Sequence, residues 1–430
     1  MNAQAEELNK IISEKSSVVF ELLSQRGKEI YFPKKGILGQ TAEAKSTKIN
    51  ATIGTAVEDD GSPMRFEAIA SKVDLNPNVV FPYAPSYGRP DIRATWKSMI
   101  YKKNPSLGSA EISLPVVTNA LTHGISMAGY MFCDPTDSVI VPDLFWGNYT
   151  LTLTHPYGSP LVKYNLFKNG QLDLEDFENQ LNKGGIGKKI MLLNFPNNPA
   201  GYTPTQAEQD AMVKIVKSSA EKGNKIVLFI DDAYFGLVYE AGIATESIFA
   251  ELSQLHENVL AIKIDGPTKE DYVWGFRVGF MTYGIKGGDA DLYGALESKT
   301  AGAIRGNISN AANISQSLLL EAFKSPDYAA QKAAKYDILK QRYDAVKEAL
   351  QEEKYKAYFT AIPFNSGYFM CVKLAEGLDA EKLRKILIEK YSIGVISLGN
   401  LIRVAYSAVA ASDIKELFEG IYLACKEYQK

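Results

Sequence analysis

The stretch IKIDGPTKEDYVWGFRVGFMTY, Ile262 to Tyr283, decides how this chain is read. The apolar run Val259 to Ile264 predicts a buried strand, and Gly266-Pro267 marks the turn that ends it. Lys269 follows at once. Arg277 stands eight residues further on, between Gly275 and Gly279, and opens a second apolar run. A lysine just past a buried strand is placed to form a Schiff base with an aldehyde, and the planar fork of an arginine suits a phosphate. Taken alone, the same residues also read as a solvated loop lysine and a surface ion-pair arginine. The rest of the chain has to decide.

The bulk numbers narrow the choice. A length of 430 residues suits two domains better than one core. Hydrophobic content of 46% with 23% charged residues is a globular composition. A formal charge of −3 gives no basic face for nucleic acid. Cys133, Cys371 and Cys425 are odd in number and far apart, which argues against a disulfide framework. His123, His155 and His256 have no metal-ligand spacing, so no metal is expected. The N-terminus MNAQAEELNK is acidic and polar rather than leader-like, and no run of 18 apolar residues appears, so no membrane span is expected and the cytoplasm is the default location.

Strand and helix patterns alternate through the middle of the chain. KKIMLLN (188–194) is a wholly apolar strand after its two lysines, Gln206 to Lys222 an amphipathic helix, and NKIVLFIDD (224–232) a second buried strand. This is the βαβ unit of a parallel sheet. The intervening GGIGKK lacks the spacer and the Ser/Thr of a phosphate-binding P-loop and reads as a turn. Asp231 ends its strand, and period-two alternation sends Asp232 to the opposite face. A helix over residues 5–27 (Leu8, Ile11, Ile12, Val19, Phe20, Leu23) precedes a short extended segment, KINATIGTAVEDDGSP, with Gly54 in it. After Ile112 a strand and an apolar helix meet at the turn Thr118-Asn119-Ala120-Leu121-Thr122, where free amides and the positive helix end favour an anion.

Lys269 with Gly275-Phe276-Arg277-Val278-Gly279 resembles the fingerprint of the fold-type I pyridoxal-phosphate enzymes, specifically the class I/II aminotransferases, and among them the aspartate and aromatic enzymes. Asn198-Pro199-Ala200-Gly201 is similar to the family's N-P-x-G, and Asp231 with Ala233-Tyr234 to its D-x-A-Y. The resemblance covers nearly the whole chain. It implies an α/β fold, with a three-layer αβα domain around a mostly parallel sheet (residues 56–318). A smaller α+β domain (1–55 plus 319–430) would carry the N-terminal arm.

The resemblance also implies pyridoxal 5'-phosphate (PLP) held by Lys269 as an internal aldimine, with amino acids and 2-oxo acids as substrates and dicarboxylic or aromatic side chains favoured. Asp231 would meet the ring nitrogen, Tyr234 and Asn198 the phenolic oxygen, and Trp146 the ring face. Ala120, Leu121, Thr122, Thr268 and Arg277 would form the phosphate cup. Arg403 would bind the substrate carboxylate, near Gly54. Tyr83, with Tyr87 as a neighbouring alternative, and Arg305 would reach across the interface of a homodimer with shared active sites.

Each aromatic or arginine also has a plain structural reading, as core or interface packing. Two positions depart from the family pattern: Ala120 and Leu121 replace glycine or serine, and Gly266 stands where a serine is usual. Other fold-type I chemistries (C–S lyase, decarboxylase, synthase) and a non-catalytic PLP-binding module are the alternatives.

Overall fold

A computed structural model describes residues 1–23, 25–30 and 36–429. Its central sheet has seven strands: β1 Val116–Thr118, β2 Val139–Pro142, β3 Leu161–Tyr164, β4 Lys188–Asn194, β5 Lys225–Asp231, β6 Val259–Asp265 and β7 Gly279–Gly284. Their order is β1-β7-β6-β5-β4-β2-β3. Only β7 runs against the others, pairing antiparallel with both β1 and β6. Six strands therefore end at the same edge, and β7 begins there. Residues that follow those strands gather at one rim, as ligand-binding loops do in open α/β sheets.

The strands read apolar because both faces are covered. From Ile190 to Asn194 every residue of β4 is buried. Helix α1 (Pro90–Lys103) lies on one face, with Trp96 stacked on Phe280 at 4.4 Å and its indole N–H donating to Asp265 over 2.9 Å. Helix α2 (Ala120–Phe132) buries Leu121, Ile125, Met127 and Ala128 against the sheet. Helix α3 (Gln206–Glu221) starts at a capping box between Thr205 and Glu208, the physical reason the pattern begins where it does.

A second, antiparallel sheet contains β8 Phe359–Ala361, β9 Met370–Leu374, β10 Ile396–Leu398 and β11 Leu401–Val404, in the order β8-β9-β11-β10. Helices α4 (Ala290–Ile308), α5 (Asn313–Phe323) and the long α6 (Tyr328–Ala349) lie between the two sheets in sequence, with the break at Ser309 to Ala312. Ile49–Asn50 pairs in parallel with Ile393–Gly394, so the N-terminal segment is tied to the C-terminal sheet. The helix expected over residues 5–27 is divided into Ala3–Lys15, Ser17–Leu22 and Gln25–Glu29. Ser16 ends the first piece with an extended backbone. Residue 24 and the side chain of Val19 lie outside the described residues.

The sheets are joined at Gly201. Its φ is +72°, and a Cβ there would lie 1.8 Å from the carbonyl oxygen of Phe369. The amides of Asn365 and Ser366 both donate to the Gly201 carbonyl, at 2.8 and 3.0 Å. Asn365 also brackets Thr203, accepting from its amide at 2.9 Å and donating to its carbonyl at 2.8 Å.

Behind the sheet edge, Lys263 is fully buried between Asp232, which it meets in a short ion pair, and Asp265 at 3.5 Å. Asp232 also accepts from the Ser247 hydroxyl at 2.6 Å. Removing one partner of such a set strands the others without water. Lys263→Met is expected to cost about 3–5 kcal/mol and lower the thermal unfolding midpoint. The double variant Lys263→Met with Asp232→Leu is expected to recover part of that loss. Equal melting of wild type and Lys263→Met would show that the buried amine contributes nothing.

Candidate active site

The rim of the central sheet holds a cavity of about 220 Å³. Nine of the residues singled out from the sequence line it: Gly54, Leu121, Thr122, Trp146, Asn198, Asp231, Tyr234, Lys269 and Arg403. They arrive from seven places along the chain, and the sheet topology brings them together. Asp231 closes β5, Asn198 follows β4, and Trp146 follows β2. Lys269 sits in the short helical turn Pro267–Glu270 after β6, where the Tyr368 hydroxyl donates to its carbonyl at 2.8 Å. Arg403 comes from β11 in the second sheet.

Of the charged groups of this cavity, Asp231 and Arg403 are buried and Lys269 is half-buried. Burial pushes the Asp231 carboxyl above its ordinary range, opposed by a hydrogen bond from Tyr149 and the charge of Lys269. Tyr149 donates to Asp231 Oδ2 at 2.6 Å, and the Ala233 amide donates to Oδ1 at 3.2 Å. Burial pushes the Lys269 ammonium below the ordinary lysine value, although Asp231 works in the other direction. Its Nζ lies 5.0 Å from the centre of the Tyr234 ring. Burial also raises the Tyr234 hydroxyl and lowers Arg403. Arg403 donates to Asn198 Oδ1 at 3.3 Å and to the Thr52 carbonyl at 3.0 Å, stacks over Phe369 at 4.3 Å, and has its Nε unpaired. A buried guanidinium with a free donor is a ready carboxylate receptor.

Beside the cavity lie the pieces of an anion cup. The first-turn amides of α2 lack intrahelical acceptors and carry the positive end of the helix. Thr268 Oγ1 is buried without a partner. Arg277, held in a left-handed backbone with φ +54°, is exposed, and its charge is felt at Lys269. His123 serves this turn structurally: its Nδ1 accepts from the Asn119 amide at 3.0 Å.

The two departures from the family pattern now have a geometry. Ala120 is left-handed, φ +61°, a conformation in which an alanine is strained. A Cβ at Gly266 would meet the Val278 carbonyl at 2.9 Å and Gly279 Cα at 3.0 Å, so a serine has no room without a backbone shift. The unpaired hydroxyl is at Thr268 instead.

Tyr83 and Arg305 are not in this cavity. Both are on the surface, Tyr83 at 90% exposure. Reading the sequence missed Tyr149, Asn194, Phe369 and Ile37 as lining residues. Tyr149 was within reach, since it stands three residues past Trp146 and meets it edge to face at 5.6 Å in a helical turn. Asn194 accepts from the Asn198 amide and donates to the Asp231 carbonyl, an arrangement no local pattern encodes.

The model of the family described as "Aminotransferase class I and II" matches residues 58–421. The chain belongs to that family. Class I and II aminotransferases depend on PLP, and this one is a PLP-dependent transaminase. Among relatives of this aminotransferase, the mitochondrial aspartate aminotransferase of Schizosaccharomyces pombe is 24% identical over 87% of this chain and 84% of that protein. The aspartate aminotransferase of Sulfolobus acidocaldarius is 25% identical, over 46% of this chain and 47% of its own length. An aminotransferase of Anaerococcus prevotii has the same fold, with a TM-score of 0.82 and 23% identity across 94% of this chain and 98% of that one. The residues present fit the cofactor: an unpaired buried hydroxyl, an arginine and a helix start suit its phosphate, and a buried acid and amine suit its ring.

Opposite stability changes are expected on the two sides of the cup. Ala120→Gly relieves the left-handed strain and gains about 0.5 kcal/mol after the extra chain entropy of glycine. Gly279→Ala puts a Cβ 2.6 Å from the Ala120 carbonyl carbon and loses about 2 kcal/mol. Thermal unfolding of the cofactor-free protein reads both, and a lower midpoint for Ala120→Gly would refute the strain.

Proposed function

We propose that this transaminase moves the amino group of a dicarboxylic or aromatic L-amino acid to a 2-oxo acid, with Lys269 as the amine that holds PLP and transfers the α-proton. The convergence of Lys269, Asp231 and Arg403 on one small cavity carries this reading. Bound PLP supplies an electron sink for breaking a bond at the substrate α-carbon.

Burial, which disfavours the Lys269 ammonium, leaves more of this amine in the neutral form that can attack a carbonyl or accept a proton. Asp231, also disfavoured as an anion when alone, keeps its charge beside a cationic ring nitrogen and holds a proton there. Tyr234 and Asn198 hydrogen-bond the phenolic oxygen, and Trp146 covers one ring face. Thr268, Arg277 and the amides from Ala120 to Thr122 hold the phosphate. Arg403 takes the substrate α-carboxylate on its free Nε, which orients the α-carbon, and Gly54 leaves room beside it.

The same reading includes a homodimer in which Tyr83 of each chain reaches the other's phosphate and Arg305 the side-chain carboxylate of its substrate. Their exposure in the single chain supports it, as does that of the neighbouring Phe81, at 85%. The division into residues 56–318 and 1–55 plus 319–430 belongs to this reading too, supported by the two separate sheets. So does a cytoplasmic location; among the described residues no helix is long and apolar enough to cross a membrane. The aspartate aminotransferases among the relatives support the dicarboxylic preference.

A donor screen with 2-oxoglutarate tests the function. Aspartate or an aromatic amino acid is expected to be consumed with stoichiometric formation of glutamate, and Lys269→Ala to abolish turnover. Release of pyruvate or ammonia without loss of the keto acid would identify a lyase instead. Arg305→Ala is expected to lower kcat/KM for aspartate at least about tenfold more than for phenylalanine, about 1.4 kcal/mol of selectivity. Equal losses for both would reduce Arg305 to a structural residue.

A further inference from the structure

A second pocket, of about 580 Å³, opens away from the Lys269 cavity. Helix α1, the loop after Tyr234, the turn after Lys269 and the start of α6 meet around it. This volume is ordinary for a small-molecule site. Five rings stand in its walls: Phe235, Tyr272, Phe323, Tyr328 and Tyr336. Two of the hydroxyls are already engaged inside the protein, Tyr328 donating to Asp271 at 2.6 Å and Tyr336 to the Val238 carbonyl at 2.5 Å. Tyr272 is held in a left-handed backbone, φ +58°, a conformation that bulky residues rarely adopt and that persists where its surroundings impose it.

Charge is added at the rim. Lys102, Lys103 and Lys332 line the pocket together with Glu270. Lys103 donates to both oxygens of Glu270, at 2.9 and 2.8 Å. Lys332 bridges Glu270 at 2.6 Å and Asp271 at 2.9 Å. These two carboxylates are buried and take up Lys103 and Lys332. Lys102 is exposed and forms no ion pair among the described residues. A recess with five aromatic walls and, at its rim, a lysine outside those ion pairs complements a flat apolar body bearing one negative charge. A dianionic phosphate would exceed the available charge, and a cation would oppose it.

We propose that this pocket binds a small aromatic monocarboxylate. The site is independent of the roles assigned to Lys269 and Arg403. Its walls include the residues that directly follow Tyr234 and Lys269 in the chain, so an occupant braces the backbone of both.

Calorimetric titration of the PLP-loaded protein with 2-naphthoate, and with the uncharged 2-naphthamide, tests the proposal. The acid is expected to bind with a Kd below about 1 mM and the amide at least about tenfold more weakly. Ala333→Trp fills the recess from the exposed side of α6 and is expected to weaken the acid at least about tenfold, with Met99→Trp as a second filling variant should the first not fold. Lys102→Gln is expected to weaken it about threefold. Arg403→Ala, which disables the first cavity, is expected to leave binding unchanged. The proposal is overturned by no measurable binding at about 5 mM acid, by amide binding as tight as that of the acid, or by binding that survives the filling variant and disappears with Arg403→Ala.

Discussion

A carboxyl group and an amine, each pushed by burial toward its uncharged form, share one small cavity, and the active site is organised around that opposition. Desolvation makes each charge costly unless something of opposite sign lies close by. Asp231 receives two hydrogen bonds that blunt the cost, from Tyr149 and from the Ala233 amide. Among the described residues Lys269 has no comparable donor or acceptor at its tip and faces the Tyr234 ring instead. The acid is therefore fixed in place while the amine stays chemically available. That asymmetry is what a group with a structural charge and a group with a reactive lone pair each require.

The sheet separates this site from a different electrostatic arrangement behind it. Asp232, one residue along, turns to the other face and meets Lys263 and Ser247. Period-two alternation alone assigns the two neighbouring acids to opposite sides, one toward the cavity and one into a closed ion-pair set. A slip of one residue in β5 would exchange their environments. Strands β4 and β6, paired with it in parallel on either side, hold that register.

Much of this was legible in the chain, for identifiable reasons. Asp231, Lys269 and Asn198 follow strongly apolar runs, so their positions at strand ends are dictated by local pattern, and the parallel topology does the rest. Leu121 and Thr122 could be placed because a helix start is a local feature. Phe369 and Asn194 were not legible, because each matters through a partner distant in sequence, Arg403 and the Asp231 carbonyl; Tyr149 shares the turn of Trp146, but its bond to Asp231 is equally remote. The N-terminal helix reads as one piece because apolar spacing carries across the break at Ser16, which only the backbone reveals. Gly266 reads from sequence as a missing hydroxyl, and the three-dimensional packing shows that it is a matter of space.

The contact at Gly201 has a mechanical meaning. With the Phe369 carbonyl where a side chain would begin, and the amides of Asn365 and Ser366 bonded to the same residue, the two sheets are stitched together on the Asn198 side of the cavity. A motion that parted the two sheets here would break several hydrogen bonds at once. The free edge of the cleft is then the opposite lip, formed by Ile37 and Gly54 of the N-terminal segment, which moves with the C-terminal sheet through its pairing at Ile49 and Asn50. Opening the cavity at the lip that carries Ile37 and Gly54 would leave the hydrogen bonds of the Gly201 seam intact.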